Sequence, residues 1–213
     1  MLETLQIKNN MRNLSLSILL IIVFFACQQA KDDSSGSSAM EEISDEITEL
    51  SIYNLPSKWI TQNHREIELA DLRGKVLIVT MFYTSCQIAC PRLVADMRDL
   101  ESKISEDKLD NVDFVLISID PTYDQPDTLK QFSIENKLDS AHWTLLHGTE
   151  DNVLEFAAVL GVKYKKVAPL DFSHSSIISV FNKKGELVYQ QEGYGVENTR
   201  TVAKINELLD SAN

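Results

Sequence analysis

The sequence predicts an α/β fold in which a mixed central sheet carries helices on both faces. Strongly apolar segments of strand length alternate with segments whose apolar residues recur at helical spacing. The polar turn 182–186 separates two further apolar segments, as in a hairpin. An amphipathic segment then closes the folded region. Because helical crossovers give parallel neighbours and a hairpin gives antiparallel ones, we expect the sheet to be mixed.

The first elements of the folded region are predicted to be strands. Residues 59–69 contain two short strand-like segments around a polar turn, and we expect them to form an N-terminal strand extension. Residues 76–83 are strongly apolar, which is typical of a strand buried on both faces. This segment is therefore predicted to be a central strand.

The remaining elements alternate. Pro91 suits the first turn of a helix, and Gly161 suits the end of one. The predicted order after the central strand is helix 91–104, strand 114–119, helix 127–137, strand 143–146, helix 151–160, strand 176–181, strand 187–191, and a final helix marked by Val202, Ile205, Leu208 and Leu209.

The N-terminal segment is typical of an exported protein. Residues 14–26 form an apolar run preceded by Lys8 and Arg12, too short for a comfortable membrane span but suitable for a signal-peptide core. Cys27 follows directly, an arrangement that resembles the lipobox of bacterial lipoproteins. We expect residues 1–26 to be a lipoprotein signal peptide and Cys27 to be lipidated. The alternatives are an ordinary cleavage site and an uncleaved anchor.

A polar segment follows Cys27. Residues 27–49 contain too few apolar side chains to offset the entropy of ordering, so they are predicted to form a flexible tether to the folded domain, residues 50–213. The protein is then a membrane-anchored lipoprotein that faces the periplasm or the cell exterior. The net charge of −12 argues against a nucleic-acid partner and against adhesion to anionic lipid.

The pair Cys86 and Cys90 is the strongest chemical signal, since the only other cysteine is Cys27. The pair lies between the predicted central strand and the next helix, and a helix N-terminus can lower a thiol pKa. The thiolates are available for electron exchange or for a soft metal ion. A structural disulfide is disfavoured, because it would close only a small loop and add little stability.

Four motifs form a recognisable pattern: Cys86 to Cys90 followed by Pro91, residues 117–121 followed by Asp124, residues 143–148, and His174 with the residues 175–178. This pattern resembles the Sco/SenC family of copper-binding cytochrome c oxidase assembly proteins, which have a thioredoxin-like fold. The resemblance spans about residues 50 to 210. Two positions depart from the family pattern: Gln87 stands where proline is usual, and Ser173 stands where aspartate is usual, with Asp171 nearby.

The resemblance implies a site and two possible functions. Copper, as Cu(I) or Cu(II), would be bound by Cys86, Cys90 and His174, because thiolates suit the soft ion and imidazole suits both oxidation states. The chain would then be a membrane-tethered copper chaperone that delivers copper to the copper-bearing subunit of cytochrome c oxidase. Alternatively, it would be a thiol-disulfide oxidoreductase in which Cys86 attacks and Cys90 resolves, with a thiol-disulfide reductant as partner.

Other candidate residues receive structural interpretations. His64 and His142 are expected to face solvent, and His147 has no ligand role in the family. Asp120 is expected to start the turn at Pro121, although its carboxylate could also act on the thiols. A peroxiredoxin activity is disfavoured, because neither cysteine has the threonine that this family carries three residues before its reactive thiol.

Overall fold

A seven-stranded mixed sheet organises the part of the chain that the computed structural model describes, residues 47–168 and 171–211. The predicted signal peptide, Cys27 and residues 28–46 of the predicted tether lie outside the described residues. Among the described helices, none has both the length and the apolar character needed to cross a membrane.

The sheet combines parallel and antiparallel pairs, as predicted. Its strand order is β2-β1-β5-β4-β3-β8-β9, and β3, β4 and β5 are parallel neighbours while the other pairs are antiparallel. Strands β6 and β7 form a separate antiparallel hairpin. The strands are β1 Lys58–Thr61, β2 Glu66–Glu68, β3 Val76–Phe82, β4 Val112–Ser118, β5 Trp143–His147, β6 Tyr164–Ala168, β7 Asp171–His174, β8 Ile177–Phe181 and β9 Leu187–Glu192.

Four α-helices complete the described architecture, with short 3-10 helices at Ile52–Asn54, Leu69–Leu72 and Glu106–Asn111. The strand register places Phe82 on one face of the sheet, where it contacts Phe132 of α2, and Trp59 on the other face, where it contacts Phe156 of α3. Helices therefore lie on both faces. They are α1 Ala89–Ser102, α2 Pro126–Glu135, α3 Glu150–Leu160 and α4 Thr199–Asp210.

The centre of the sheet is fully buried. Every residue of β3 and of β4 is buried, which explains why most residues of both strands are apolar instead of alternating with polar ones. The carboxyl end of β3 lies in the middle of the sheet, and the chain leaves it toward α1. The loop between β3 and α1, which carries Cys86, is thus held between well-packed elements.

Local signals account for both ends of α3 and for the start of α2. The Thr149 side chain caps α3 by accepting a hydrogen bond from the Asn152 N–H at 3.2 Å, and Gly161 ends α3 with φ of 67°, a left-handed conformation that favours glycine. Pro126 lies in the first turn of α2. Helix α1 begins at Ala89, two residues before the predicted start at Pro91. The observed boundaries otherwise lie close to those predicted.

The sequence prediction missed the β6–β7 hairpin. It assigned no element between Gly161 and the strand at 176. The β6 side chains are exposed except for half-buried Tyr164, so β6 shows no apolar alternation. The hairpin matters for function because its second strand ends at His174.

Candidate metal centre

Cys86 and Cys90 lie at the junction of β3 and α1, and both are free thiols. Cys86 is half-buried in the loop that follows β3, where its N–H donates to the Tyr83 carbonyl at 3.3 Å. Cys90 lies in the first turn of α1 and is buried. The two cysteines are therefore not on the same helical turn, although their spacing is four residues.

The Cys86 sulfur faces the beginning of α1. The Cys90 N–H donates to the Cys86 Sγ at 3.3 Å. Burial raises the pKa of Cys86, but hydrogen bonds from the backbone N–H groups of Cys90 and Ile88 and from the side chains of Cys90 and Tyr83 together outweigh burial, and the pKa of Cys86 is lowered overall. This agrees with the predicted effect of a helix N-terminus, and it makes Cys86 the more readily ionised thiol of the pair.

Cys90 has the opposite character. Burial raises the pKa of Cys90, and the neighbouring Cys86 sulfur and the Asp124 carboxylate raise it further. Cys90 therefore stays protonated at neutral pH until a metal ion or a disulfide takes the place of the proton.

His174 approaches the cysteines from the end of β7. Its Nε2 lies 3.8 Å from the Cys90 Sγ, and its Nδ1 lies 3.1 Å from the Ser175 carbonyl oxygen. Because only a protonated Nδ1 can donate to that carbonyl, Nε2 carries the free lone pair of the neutral ring. Burial lowers the pKa of His174, which favours the neutral form that binds metal.

The three predicted ligands line one region but do not yet form a closed coordination shell. The distance between the Cys90 sulfur and His174 Nε2 is comparable with that between two donors that each lie about 2.0–2.3 Å from one ion. Within the described residues, however, no three His, Cys, Asp or Glu side chains already form a group able to hold a metal ion. A three-donor site therefore requires these side chains to move closer together.

Tyr83 connects the cysteine loop to the strand of His174, and the sequence prediction did not include it. Its hydroxyl donates to Asp171 Oδ1 at 2.8 Å and accepts from the Phe172 N–H at 3.3 Å, and its ring meets the His174 ring edge-on at 5.7 Å. Asp171 therefore binds Tyr83, while a backbone carbonyl orients His174. The sequence signal that could have identified Tyr83 is a tyrosine directly after the buried strand.

Asp124 is the second residue of the site that the sequence prediction left without a role. It is fully buried, and it accepts hydrogen bonds from the Thr84 N–H at 3.0 Å, from the Thr84 hydroxyl, and from the Ser118 hydroxyl at 2.6 Å. Burial raises the pKa of Asp124. Asp124 thereby holds the start of the cysteine loop against the end of β4.

The structure also shows the contacts and burial of Asp120 and of the three other histidines. Asp120 accepts a hydrogen bond from the Tyr123 N–H at 3.3 Å, so its predicted role in the turn is confirmed. His64 is exposed beside Asp127, as predicted. The prediction for His142 was wrong: the residue is half-buried, and its Nδ1 is buried without a hydrogen-bond partner among the described residues. His147 binds the Asp124 carbonyl through Nδ1 at 3.0 Å.

An open cavity of about 570 Å³ gives access to the site. Two exposed apolar side chains stand at its edge: Ile88 is 73% exposed and Tyr194 is 40% exposed. Cys86 and His174 both line the cavity, whereas Cys90 lies behind them. A partner can therefore reach Cys86 and His174 directly.

Together, these features define a dithiol–histidine protein, with two cysteines at the end of a central strand and an imidazole supplied by a separate hairpin. The chain belongs to the SCO1/SenC family, whose family model matches residues 47–210. A similar curated protein is the SCO1 protein homolog of Bacillus subtilis (strain 168). It is 29% identical over 147 residues, which are 68% of this chain and 75% of that protein.

Solved structures of Sco proteins have the same fold. A SCO1/SenC family lipoprotein from Bacillus anthracis str. Ames matches with a TM-score of 0.66 and 24% identity, over 76% of this chain and 99% of that one. Arabidopsis thaliana ScoI with copper bound matches with a TM-score of 0.65 and 19% identity, over 75% and 99%. BsSco, in which a disulfide switch was identified and which is a member of the Sco family of cytochrome c oxidase assembly proteins, matches with a TM-score of 0.64 and 23% identity, over 76% and 95%. The predicted thioredoxin-like fold is confirmed.

Proposed function

We propose that this chain is a copper chaperone that binds copper through Cys86, Cys90 and His174 and delivers it to the copper-bearing subunit of cytochrome c oxidase. The observation that carries the proposal is the approach of His174 Nε2 to the Cys90 sulfur, at 3.8 Å, beside a second free thiol. Two sulfurs and one imidazole are a donor set that suits copper in both oxidation states.

The surroundings of the three donors fit metal binding. The Ser175 carbonyl fixes the tautomer of His174 and leaves Nε2 free for a metal. Cys86 ionises readily, and the proton of Cys90 would be released when the metal binds. The open cavity leaves room for the ligands of a client protein, so copper can pass to the client by exchange of one donor for another.

Family relatives support both parts of the proposal. Arabidopsis thaliana ScoI has been solved with copper bound, and BsSco belongs to a family of cytochrome c oxidase assembly proteins. The present chain carries the same family pattern over residues 47–210.

Copper binding is tested by titrating the reduced full-length chain with Cu(I) against a competing chelator. We expect the Cys86→Ser and Cys90→Ser variants to lose more than about tenfold in affinity, since each removes a direct ligand. Cys27→Ser is the matched control, because it removes the third cysteine of the chain, and it should bind like the parent. Equal affinity in all three variants would refute the proposed site.

A thiol-disulfide oxidoreductase is the second candidate. It is favoured by the unequal thiols: Cys86 is accessible with a lowered pKa, and Cys90 is buried directly behind it. In that reaction the Cys86 thiolate attacks a client disulfide, one client thiolate leaves, and the Cys90 thiol then displaces the second client sulfur as a Cys86–Cys90 disulfide forms. The client disulfide is thereby reduced, and an external thiol-disulfide reductant restores the two free cysteines.

The variant His174→Ala separates the two candidates. Copper affinity should fall, because one ligand is lost, whereas the rate of disulfide reduction should stay close to that of the parent. If copper affinity is unchanged and disulfide reduction is fast, the oxidoreductase becomes the better assignment.

We also propose that Cys27 is lipidated, so that residues 27–49 tether the domain to the outer face of a membrane. The support is the apolar run that ends directly before Cys27, together with the lipoprotein among the similar Sco structures. Metabolic labelling with a fatty acid should mark the parent and leave Cys27→Ser unlabelled. An unlabelled parent protein would contradict the anchor.

A further inference from the structure

Two lysines lie next to the proposed copper ligand His174. Lys165 pairs with Ser173 across the β6–β7 hairpin, and the Lys163 carbonyl accepts a hydrogen bond from the Ser175 N–H at 2.9 Å. Both lysines line a shallow cavity of about 300 Å³ together with His174. Lys163 and Lys165 are named the hairpin lysine pair below.

Neither member of the hairpin lysine pair forms an ion pair within the described part of the chain, whereas Lys58, Lys75 and Lys103 each pair with a carboxylate. The acidic side chain of the same hairpin, Asp171, is bound to the Tyr83 hydroxyl. Three others, Asp120, Glu150 and Asp151, line the next groove along the hairpin. Lys165 also borders that groove, but Lys163 does not.

The pair therefore forms a local positive region in a chain whose net charge is −12. Such a region attracts anionic groups, and its position matters because His174 lies within it. His174 also lines the larger cavity, which carries the exposed side chains of Ile88 and Tyr194. A positive region and an apolar surface that adjoin the same residue are suited to binding a polypeptide.

We propose that the hairpin lysine pair is a docking surface for an acidic segment of the client protein, which it guides toward Cys86 and His174. The inference rests on the proposed function, since it names the chemistry of the client at that same site. A protein partner fits better than an anionic membrane, because lipid held against the lysines would cover the cavity through which Cys86 and His174 are reached.

The test compares two short disulfide-closed peptides, one rich in glutamate and one rich in lysine. The Cys86 thiolate attacks one peptide sulfur, a mixed disulfide forms, and the other peptide sulfur leaves as a thiolate, so the peptide is the oxidant. The full-length chain carries Cys27→Ser, which leaves Cys86 and Cys90 as its only thiols. The measured quantity is the ratio of the rate constants for the two peptides.

This ratio isolates docking from thiol reactivity. A substitution that changes the ionisation of Cys86 changes both rates equally and cancels in the ratio. We expect the parent to react faster with the glutamate peptide than with the lysine peptide. In the variant Lys163→Glu/Lys165→Glu the ratio of the two rate constants should fall about tenfold. High salt should remove the difference between parent and variant. An unchanged ratio in the double variant would overturn the proposal.

Lys183→Glu/Lys184→Glu is the matched control, because it changes the net charge by the same amount as the double variant. The Lys183 carbonyl accepts from the Gly74 N–H, so this residue lies beside the start of β3, whereas Cys86 follows the end of β3. Seven strand residues separate the two ends by about 20 Å, which exceeds the screening length of about 8 Å at physiological salt. The control should keep the parent ratio, and a loss equal to that of the double variant would show that total charge, not docking, is measured.

Two further measurements distinguish other outcomes. The first measures binding to phosphatidylserine vesicles. If the parent binds them, the double variant does not, and the peptide ratio is unchanged, the lysines are assigned to a membrane instead. The Cu(I) titration is run on the same samples. If the parent binds no copper, the proposed function fails, while the peptide ratio still decides whether the docking surface exists.

Discussion

At the scale of single residues, the two cysteines of the site differ in accessibility and in ionisation. Burial and the neighbouring Cys86 and Asp124 raise the pKa of Cys90. Hydrogen bonds to Cys86, among them those from backbone N–H donors at the start of α1, together overcome burial and lower the pKa of Cys86. The difference arises because Cys86 precedes the helix and accepts from its N–H groups, whereas Cys90 lies inside the first turn.

This difference predicts selective alkylation. With limiting iodoacetamide near neutral pH, Cys86 should react at least about tenfold faster than Cys90, because only the thiolate is nucleophilic. The rate at Cys86 should rise with pH and level off below the ordinary thiol range. Peptide mass spectrometry measures both sites in one sample, and equal labelling of the two cysteines would contradict the assigned environments.

His174 predicts a pH dependence of stability. Burial lowers the pKa of His174 in the folded protein, so the unfolded chain takes up a proton first as the pH falls. The contribution of His174 to the free energy of unfolding is complete above about pH 6.5, the pKa of histidine in the unfolded chain. It is lost at about 1.4 kcal/mol per pH unit as the pH falls toward the lower pKa of His174 in the folded protein. In urea unfolding of the metal-free protein, His174→Gln should therefore lose less unfolding free energy at acid pH than the parent. An equal loss in both proteins would mean that His174 titrates normally.

At the scale of elements, the β6–β7 hairpin carries His174 but lies outside the main sheet. Its attachment depends on Tyr83, which follows β3 and binds Asp171 and Phe172 of β7. The ring of Tyr83 also packs against Phe172, with centroids 5.2 Å apart. Tyr83 thus fixes the position of one proposed ligand relative to the other two.

Tyr83→Phe should weaken this attachment. The change keeps the ring but leaves the Phe172 N–H without its partner, which costs about 1–3 kcal/mol of unfolding free energy. Hydrogen exchange of the hairpin amides should accelerate as well. Tyr123→Phe is the control, because Tyr123 is 47% exposed and its hydroxyl has no hydrogen bond to a described residue. Unchanged stability and exchange in Tyr83→Phe would show that the hydroxyl is dispensable.

The turn after β4 holds the cysteine loop through Asp124. Replacing Asp124 by alanine removes the acceptor of the Thr84 N–H and of two hydroxyl groups, and it should lower the free energy of unfolding by about 3 kcal/mol. Asp127→Ala removes a carboxylate that is 91% exposed and should cost less than about 1 kcal/mol. Denaturant unfolding measures both. Similar small losses would mean that Asp124 contributes little to the loop.

At the scale of the whole molecule, metal binding and folding are expected to be linked. The proposed ligands come from the loop before α1, from α1 itself and from β7, so copper would bind the folded chain far better than the unfolded one. A ligand at a hundred times its Kd stabilises by about 2.7 kcal/mol. Cu(I) should therefore raise the Tm of the parent. Cys90→Ser should show a much smaller rise, and an equal rise would place the copper elsewhere.

Much of the fold was predictable because its signals are local. The apolar segments of β3 and β4, the helical spacing in α1 and the polar turn before β9 each identify an element from neighbouring residues alone. The β6–β7 hairpin escaped prediction because its exposed strand has no such pattern. His142 was misjudged for a related reason, since its burial depends on residues distant in the chain.

The sequence by itself determined the class of fold, the order of its predicted elements and the placement of two cysteines between the central strand and the following helix. Through the family pattern, it also indicated His174. Only the tertiary structure decided that His174 meets Cys90 across 84 positions of sequence, that Asp171 binds Tyr83, and that the two thiols ionise differently. The physical reason is that periodicity records local preference, whereas hydrogen-bond partners and burial, which set pKa values, depend on contacts between distant segments.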